Sequence, residues 1–551
     1  MANVKFPRKG FESFLGKKIT EELKEKIHLF GTPVESLSDS EIELEIFPNR
    51  PDLLSMQGFL RSFKAFLNIK NSIGLKRYSL KKPEKGYKVT IDSSVNPVRP
   101  YTACAIVKNL KFTDEAIKEI IDLQEKLHGT IGRNRKKVAI GIYPLEKIKL
   151  PIKYLAMDPK KIQFIPLESD REMNGLQILQ KHPAGKEYAH LLEGEIKYPV
   201  FMDANNKILS MPPIINSNET GKVSENTREI FVECSGTDFQ TLEKTLNIII
   251  TTLSDLGGNV YQMSLDYGKE KIITPNLSPE KMKISLSEIN KLLGTKIKEQ
   301  ELQKLLRKMG LDYSKSTVSI PAWRSDILHP VDITEDVAIA YGYDNFVPSI
   351  PKVSTVASES IESKISSKLS EILSGLGLTE ISTYHLIKSQ EAKLFKLKNP
   401  IELEDSKTEY KFLRPSLLIP ALRIYTENKD SDYPQKIFEI GTVFSESNKT
   451  ETGIKENENL IIALSPSNFT DLKQILDYLS SSLSLEFKLV PSEHSSLIPG
   501  RTGKILLGDK PIGYLGEVHP KTLNQWKIKM PLSILEINLE EIFSLLSRTT
   551  H

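Results

Sequence analysis

Three carboxylates, Asp332, Glu335 and Asp336, stand at i, i+3 and i+4 in the run from Pro321 to Asn345. Pro330 suits the first turn of a helix, so that spacing stacks all three acids on one helical face. Hard oxygen ligands grouped in this way suit Mg²⁺. The same acids near a helix N-terminus also serve simply to offset the helix dipole.

Other candidate residues have equally plain alternative roles. Pro48-Asn49-Arg50-Pro51-Asp52 reads as a rigid turn, with Asp52 able to cap a helix. Arg133, Arg135, Lys136 and Lys137 could meet phosphate, and they also suit a solvated turn. Ser210-Met211-Pro212-Pro213-Ile214-Ile215-Asn216-Ser217 reads as a buried turn. Gly236-Thr237-Asp238 reads as a helix cap. No phosphate-cradling glycine loop, dinucleotide fingerprint, zinc-protease motif or serine-nucleophile elbow is present in the sequence.

Several elements must position these groups. Thr20 precedes Glu21 and Glu22 as a helix start, and Glu41–Ile46 alternates as a half-buried strand. Tyr101–Val107 and Val138–Ile142 read as strands, while Asp114–Leu127 and Phe239–Leu253 read as helices. Helices over 286–293 and 298–309 follow, the second ended by Gly310, before a Pro- and Ser-containing linker over 348–358. Strands are expected at 436–444, 460–464, 504–507 and 512–518.

A chain of 551 residues exceeds what one core usually serves, so several domains are expected. Its 39% hydrophobic and 26% charged content is that of a folded soluble protein. The net charge of +4 gives no global field for nucleic acid, leaving RNA contacts to local patches. Two distant cysteines, Cys104 and Cys234, exclude a disulfide framework and suit a reducing cytoplasm. Without a signal-like start or an apolar run of about 18 residues, no secretion and no membrane association are expected.

The run Trp323-Arg324-Ser325-Asp326-Ile327-Leu328-His329 through Tyr341-Gly342-Tyr343 resembles the B5 signature of phenylalanine–tRNA ligase beta subunits of the archaeal and eukaryotic type. Asn49-Arg50-Pro51-Asp52-Leu53 and Thr130-Ile131-Gly132-Arg133 through Ile142 are similar to further segments of that family, though Tyr143-Pro144 replaces its usual His-Asp. Phe412–Leu418, Phe438–Phe444 and Gly516–Pro520 resemble its C-terminal synthetase-like core, without the arginine motif with which class II synthetases bind ATP. The resembling blocks run in family order from residue 45 to 520.

The resemblance implies an α/β and α+β multidomain chain. Its parts would be a small N-terminal α+β domain (1–93), a B3/B4 editing domain (94–272), a winged-helix-like B5 domain (273–350) and a class II synthetase-like core of mixed antiparallel sheet (355–551). It implies Asp326, Asp332, Glu335 and Asp336 as ligands of a Mg²⁺ shared with an alpha subunit, and ATP as a substrate at that subunit's site. It also implies phenylalanine tRNA as substrate and an alpha2-beta2 heterotetramer as the assembly. In the editing domain it implies Ser210, Glu233 and Ser235 as reacting groups and Phe201, Asn216, Thr237 and Asp238 as substrate contacts. Glu233-Cys234-Ser235 stands where the archaeal pattern has Asp-x-Thr, so acid and hydroxyl are kept and their reach changes. A free-standing aminoacyl-tRNA deacylase and a non-catalytic RNA-binding scaffold are the alternatives.

Overall fold

The computed structural model describes residues 2–351 and 357–549. The linker expected over 348–358 therefore lies partly outside the described residues. The chain divides into two compact units, 1–349 and 350–551.

In the first unit, Glu41–Ile46 forms the middle strand of a three-stranded sheet, pairing antiparallel with Ala2–Pro7 and Val34–Leu37. Its apolar residues point inward, where Phe6, Phe11, Phe30, Phe59 and Phe63 pack edge to face and offset. Thr20 caps its helix by accepting from the Leu23 amide, as expected. Asp52 does not cap the next helix. Ser55 does, while Asp52 is fully buried in a two-point pair with Arg50 at 2.9 Å. A guanidinium fork beside a carboxylate outcompetes a single backbone amide for it.

An eleven-stranded sheet dominates this unit. Its main path runs through Ile215–Asn216, Ile208–Met211, Tyr198–Met202, Ile152–Met157, Lys88–Ile91, Asn259–Asp266, Tyr101–Lys108, Ile230–Gly236 and Val138–Pro144. Leu80–Lys81 and Lys88–Ile91 join this sheet although they precede residue 94. Helices Asp114–Gly129 and Phe239–Asp255 cover one face, burying Leu123, Leu127, Leu246 and Ile249 against Val138, Ile140, Val232 and Cys234. Both cysteines are free and buried. Residues 280–320 add a three-stranded sheet with helices Leu286–Leu293 and Glu299–Lys308, the latter followed by Gly310 at a positive φ of 75°. Pro330–Tyr341 is the helix on which the acidic run lies.

The second unit is built on seven strands in the order Thr379–Glu380, Gln435–Glu446, Ile454–Ser465, Ser533–Asn538, Lys510–Val518, Leu497–Leu507 and Phe487–Pro491. All neighbours are antiparallel except the first pair. Apolar cores fill both faces, with Leu472 and Leu476 on one side and Leu418 and Leu422 on the other. No described helix is long and apolar enough to cross a membrane.

Candidate functional site

A cavity of about 670 Å³ opens at the edge strand Val138–Pro144. Its walls are the helix Asp114–Gly129, the 212–223 segment, Leu167 with Glu168, and the corner His182–Ala184. The volume lies in the range of small-ligand sites, which are mostly apolar with a few placed polar groups. Here the apolar wall includes Ile117, Ile120, Ile140 and Ile214, and the polar groups include Glu233, His128, His182, Arg135 and Asn216.

Glu233 is the buried acid of this cavity, on the strand Ile230–Gly236 directly opposite Gly141. A Cβ on Gly141 would stand 2.5 Å from Glu233 Oε1 and 2.2 Å from the Tyr143 hydroxyl oxygen, so only glycine leaves room for this carboxyl–phenol pair. Tyr143 donates to Glu233 Oε1 at 3.1 Å, and Asn216 Oδ1 lies 3.3 Å from the same hydroxyl. Tyr143, fully buried and stacked on Phe231, does not line the cavity: it supports Glu233 from behind. Glu233 Oε2 is buried and has no hydrogen-bond partner.

Burial pushes the Glu233 carboxyl up to about 8, against the opposing pull of the Tyr143 hydroxyl, the Arg99 guanidinium and the neighbouring Ser235 hydroxyl. The group is therefore mostly neutral at pH 7. A neutral acid can donate as well as accept, and a buried polar atom without a partner costs about 1–3 kcal/mol. An entering hydroxyl would relieve that cost, and a bare aromatic edge would not.

The other expected residues separate into two groups. Ser210 and Ser235, expected as reacting groups, are buried near Glu233 but do not line the cavity. Ser210 pairs across the sheet with Asn216, and Ser235 Oγ accepts from Arg99 Nε at 3.2 Å. Phe201, Thr237 and Asp238 do not line the cavity. Phe201 stacks on Tyr154 at 4.3 Å in the core. Thr237 is exposed, and Asp238 caps the helix Phe239–Asp255 by accepting from the Thr241 amide at 2.9 Å.

His128, Arg135 and His182 were not singled out as cavity groups by sequence reasoning. His128 Nε2 accepts from the Ile140 amide at 2.9 Å, which leaves Nδ1 to donate to Glu125. Burial lowers the imidazole's proton affinity, and the His128 contact holds the Glu125 carboxyl down at about 2. The basic turn is not simply solvated, because Arg135 folds inward over the Tyr188 ring and donates to Ile214 O at 2.9 Å and to Glu125.

The second constellation departs from its expected geometry. The helix begins at Pro330 as its sequence requires, but Asp332 folds back over its start. There it accepts from the Leu328 and His329 amides at 2.8 and 2.7 Å. Half-buried Asp326 and buried Asp336 converge on Arg324, with contacts of 2.6–2.9 Å. Burial favours the protonated form of both. Arg324 outweighs it at Asp326, whose carboxyl stays below the usual range, while burial prevails at Asp336. Among the described residues no three His, Cys, Asp or Glu side chains group as a metal would need. Asp326 and Asp336 do not fit as metal ligands in this geometry, since a guanidinium already takes the place of the cation. Asp332 is half-buried with one carboxylate oxygen on the two backbone amides, and Glu335 is exposed.

In the second unit, Arg414 is fully buried and spends its donors on Glu439 Oε1 at 2.8 Å, Thr383 and the Thr442 carbonyl. Gly441 makes room for this guanidinium, since a Cβ there would be 2.5 Å from Nη2. Glu536 nearby in this sheet accepts from Tyr514, Ser416, Asn459 and the Leu417 amide at 2.7–3.0 Å. The arginine of the Phe412–Leu418 segment is thus committed within the fold rather than presented to a nucleotide.

The first unit thus carries a cavity with one buried acid, and the second an antiparallel sheet whose buried arginine is paired within the fold; the matched families place both in a multidomain subunit of the aminoacyl-tRNA synthetase type. Residues 282–343 match the tRNA synthetase B5 domain and residues 347–539 the phenylalanyl tRNA synthetase beta chain CLM domain. A phenylalanine–tRNA ligase beta subunit from Thermococcus sibiricus is 37% identical over 90% of both chains, and one from Archaeoglobus fulgidus is 36% identical over 94% of both. The crystal structure of an N-terminal fragment of the Pyrococcus horikoshii phenylalanyl-tRNA synthetase beta subunit is 34% identical, with a TM-score of 0.59, and covers 62% of this chain and 99% of that one. The chain belongs to the phenylalanine–tRNA ligase beta-subunit family, a component of the ligase rather than a separate enzyme.

Proposed function

We propose that the chain works in the cytoplasm beside a separate alpha subunit, in an alpha2-beta2 assembly that attaches phenylalanine to its tRNA with ATP. The alpha subunit supplies the ATP site. The burial of Arg414 against Glu439 supports this division, because that guanidinium is unavailable to a phosphate. A hydrated Mg²⁺ at the subunit junction would be held on this side by Asp332 and Glu335.

The cavity at Glu233 is the proofreading site, which hydrolyses tyrosine wrongly attached to the tRNA. A pocket shaped for an apolar ring rejects an added hydroxyl only by about 10², whereas a site built to bond that hydroxyl rejects its absence by about 10⁴. The observation that carries this reading is the partnerless Glu233 Oε2 on the cavity wall. In the neutral acid this atom hydrogen-bonds the phenol of a tyrosyl group, while Tyr143 holds the other oxygen. Glu233→Ala tests it in the assembled complex: tyrosyl-tRNA hydrolysis should fall by roughly 2- to 12-fold, the worth of one neutral hydrogen bond. Unchanged hydrolysis would remove Glu233 from the site. Phenylalanine-dependent pyrophosphate exchange by the isolated chain would refute the division of labour.

A further inference from the structure

The same cavity holds a second partnerless group that its specificity does not use. His182 is 7% exposed and sits at the corner between helices Gly175–Lys181 and Pro183–Tyr188. Pro183 drives the residue before it out of the helical region, and His182 is extended at φ −76°, ψ 139°. Gly185 packs so tightly on the Ile178 carbonyl that a Cβ would approach to 1.8 Å, which locks the corner. His182 Nε2 lies 3.1 Å from the Leu167 carbonyl oxygen, which can only accept, so the proton is on Nε2. Nδ1 is then a bare lone pair, buried and without a partner, on a side chain that lines the cavity.

This arrangement has the logic of an oriented base: one ring nitrogen is fixed by an acceptor and the other is left free to take a proton. The orientation also carries over to Glu233. The Leu167 amide donates to the Asn216 carbonyl at 2.9 Å, and the Asn216 side-chain oxygen lies 3.3 Å from the Tyr143 hydroxyl that donates to Glu233. His128, the other histidine of the wall, has both ring nitrogens engaged.

We propose that His182 is the general base of ester hydrolysis in this cavity, a proposal that rests on the proofreading reading above. Nδ1 takes a proton from a water molecule as the water oxygen bonds to the carbonyl carbon of the aminoacyl ester. The tetrahedral adduct collapses with cleavage of the bond to the ribose oxygen, and the imidazolium returns its proton to that oxygen. Free amino acid and deacylated tRNA result, with no co-reactant besides water.

The test uses the assembled complex and purified tyrosyl-tRNA. His182→Gln keeps an amide donor for Leu167 and removes the base, and His182→Ala removes both. Hydrolysis should fall at least about a hundredfold in each, with tyrosyl-tRNA affinity unchanged, because general-base catalysis contributes about 10²–10⁴. The acid limb of the parent's pH–rate profile should vanish in both variants, and added imidazole should partly restore His182→Ala. The other titratable or charged groups on the cavity wall are Glu125, His128, Arg135, Glu168, Lys222 and Glu233, and none of them is altered. An unfolding midpoint equal to the parent's excludes a folding defect. A rate loss that leaves the acid limb in place, or an unchanged rate, overturns the assignment of His182 alone. A parent complex without any tyrosyl-tRNA hydrolysis overturns the proofreading reading and this proposal together.

Discussion

Glu233→Gln gives the most quantitative test of the cavity's electrostatics. The carboxyl titrates at about 8 in the fold against an ordinary 4.5, because burial disfavours its charged form. Between those two values the unfolded chain has lost the proton and the folded chain keeps it. The contribution of Glu233 to stability is therefore intact below about pH 4.5 and is lost as pH rises towards 8. The slope is about 1.4 kcal/mol per pH unit. Glutamine cannot ionise, and its carbonyl still accepts from Tyr143, so the variant lacks this slope while every other titrating group is shared. From pH 5.5 to 7.5 the variant should gain about 3 kcal/mol on the parent. Urea unfolding followed by Trp323 fluorescence, in a Trp526→Phe background that silences the other of the two tryptophans, reads the unit that contains the cavity. A difference between variant and parent that stays constant with pH would mean that Glu233 is ionised throughout, and the argument for a neutral acid would fail.

The remaining predictions concern packing, the second unit and the metal. Gly141→Ala forces a Cβ into the Tyr143–Glu233 contact, and should cost about 1–3 kcal/mol and depress tyrosyl-tRNA hydrolysis, measured by unfolding and deacylation together. Arg414→Met leaves Glu439 buried without its counter-charge and should destabilise the second unit by about 3–5 kcal/mol, read from Trp526 fluorescence in a Trp323→Phe background. Replacing Asp332 and Glu335 together by Asn and Gln should weaken Mg²⁺ binding by the assembled complex in calorimetry, and an unchanged affinity would assign both acids to dipole compensation.

The regular elements were legible because their apolar periodicity and caps are local properties. Thr20, the alternation over Glu41–Ile46, the helices near 114 and 239, and Gly310 as a helix stop all follow from a few adjacent residues. The side-chain partners were less legible, because competition decides them. Asp52 could cap or pair, and Arg50 two residues away settles it. Asp336 could ligate, but Arg324 reaches it across the turn. Thr237 and Asp238 look like substrate groups and like a cap, and the cap uses Asp238. The cavity draws its polar wall from His128, Arg135, His182 and Glu233, with Tyr143 behind Glu233, and only the folded sheet brings them together, so no local spacing reveals it. Two signals were available: Gly141 inside a wholly buried strand, which marks close approach, and a histidine immediately before Pro183.

The most direct test of the central claim compares hydrolysis of tyrosyl-tRNA and phenylalanyl-tRNA by the assembled complex at saturating enzyme, without ATP. A site that reads a hydroxyl through Glu233 should clear the tyrosyl ester at least about fivefold faster than the phenylalanyl ester, the minimum worth of a bonded hydroxyl against an unpaired buried acceptor. Equal rates for the two esters, or no hydrolysis of either above the uncatalysed background, would contradict it.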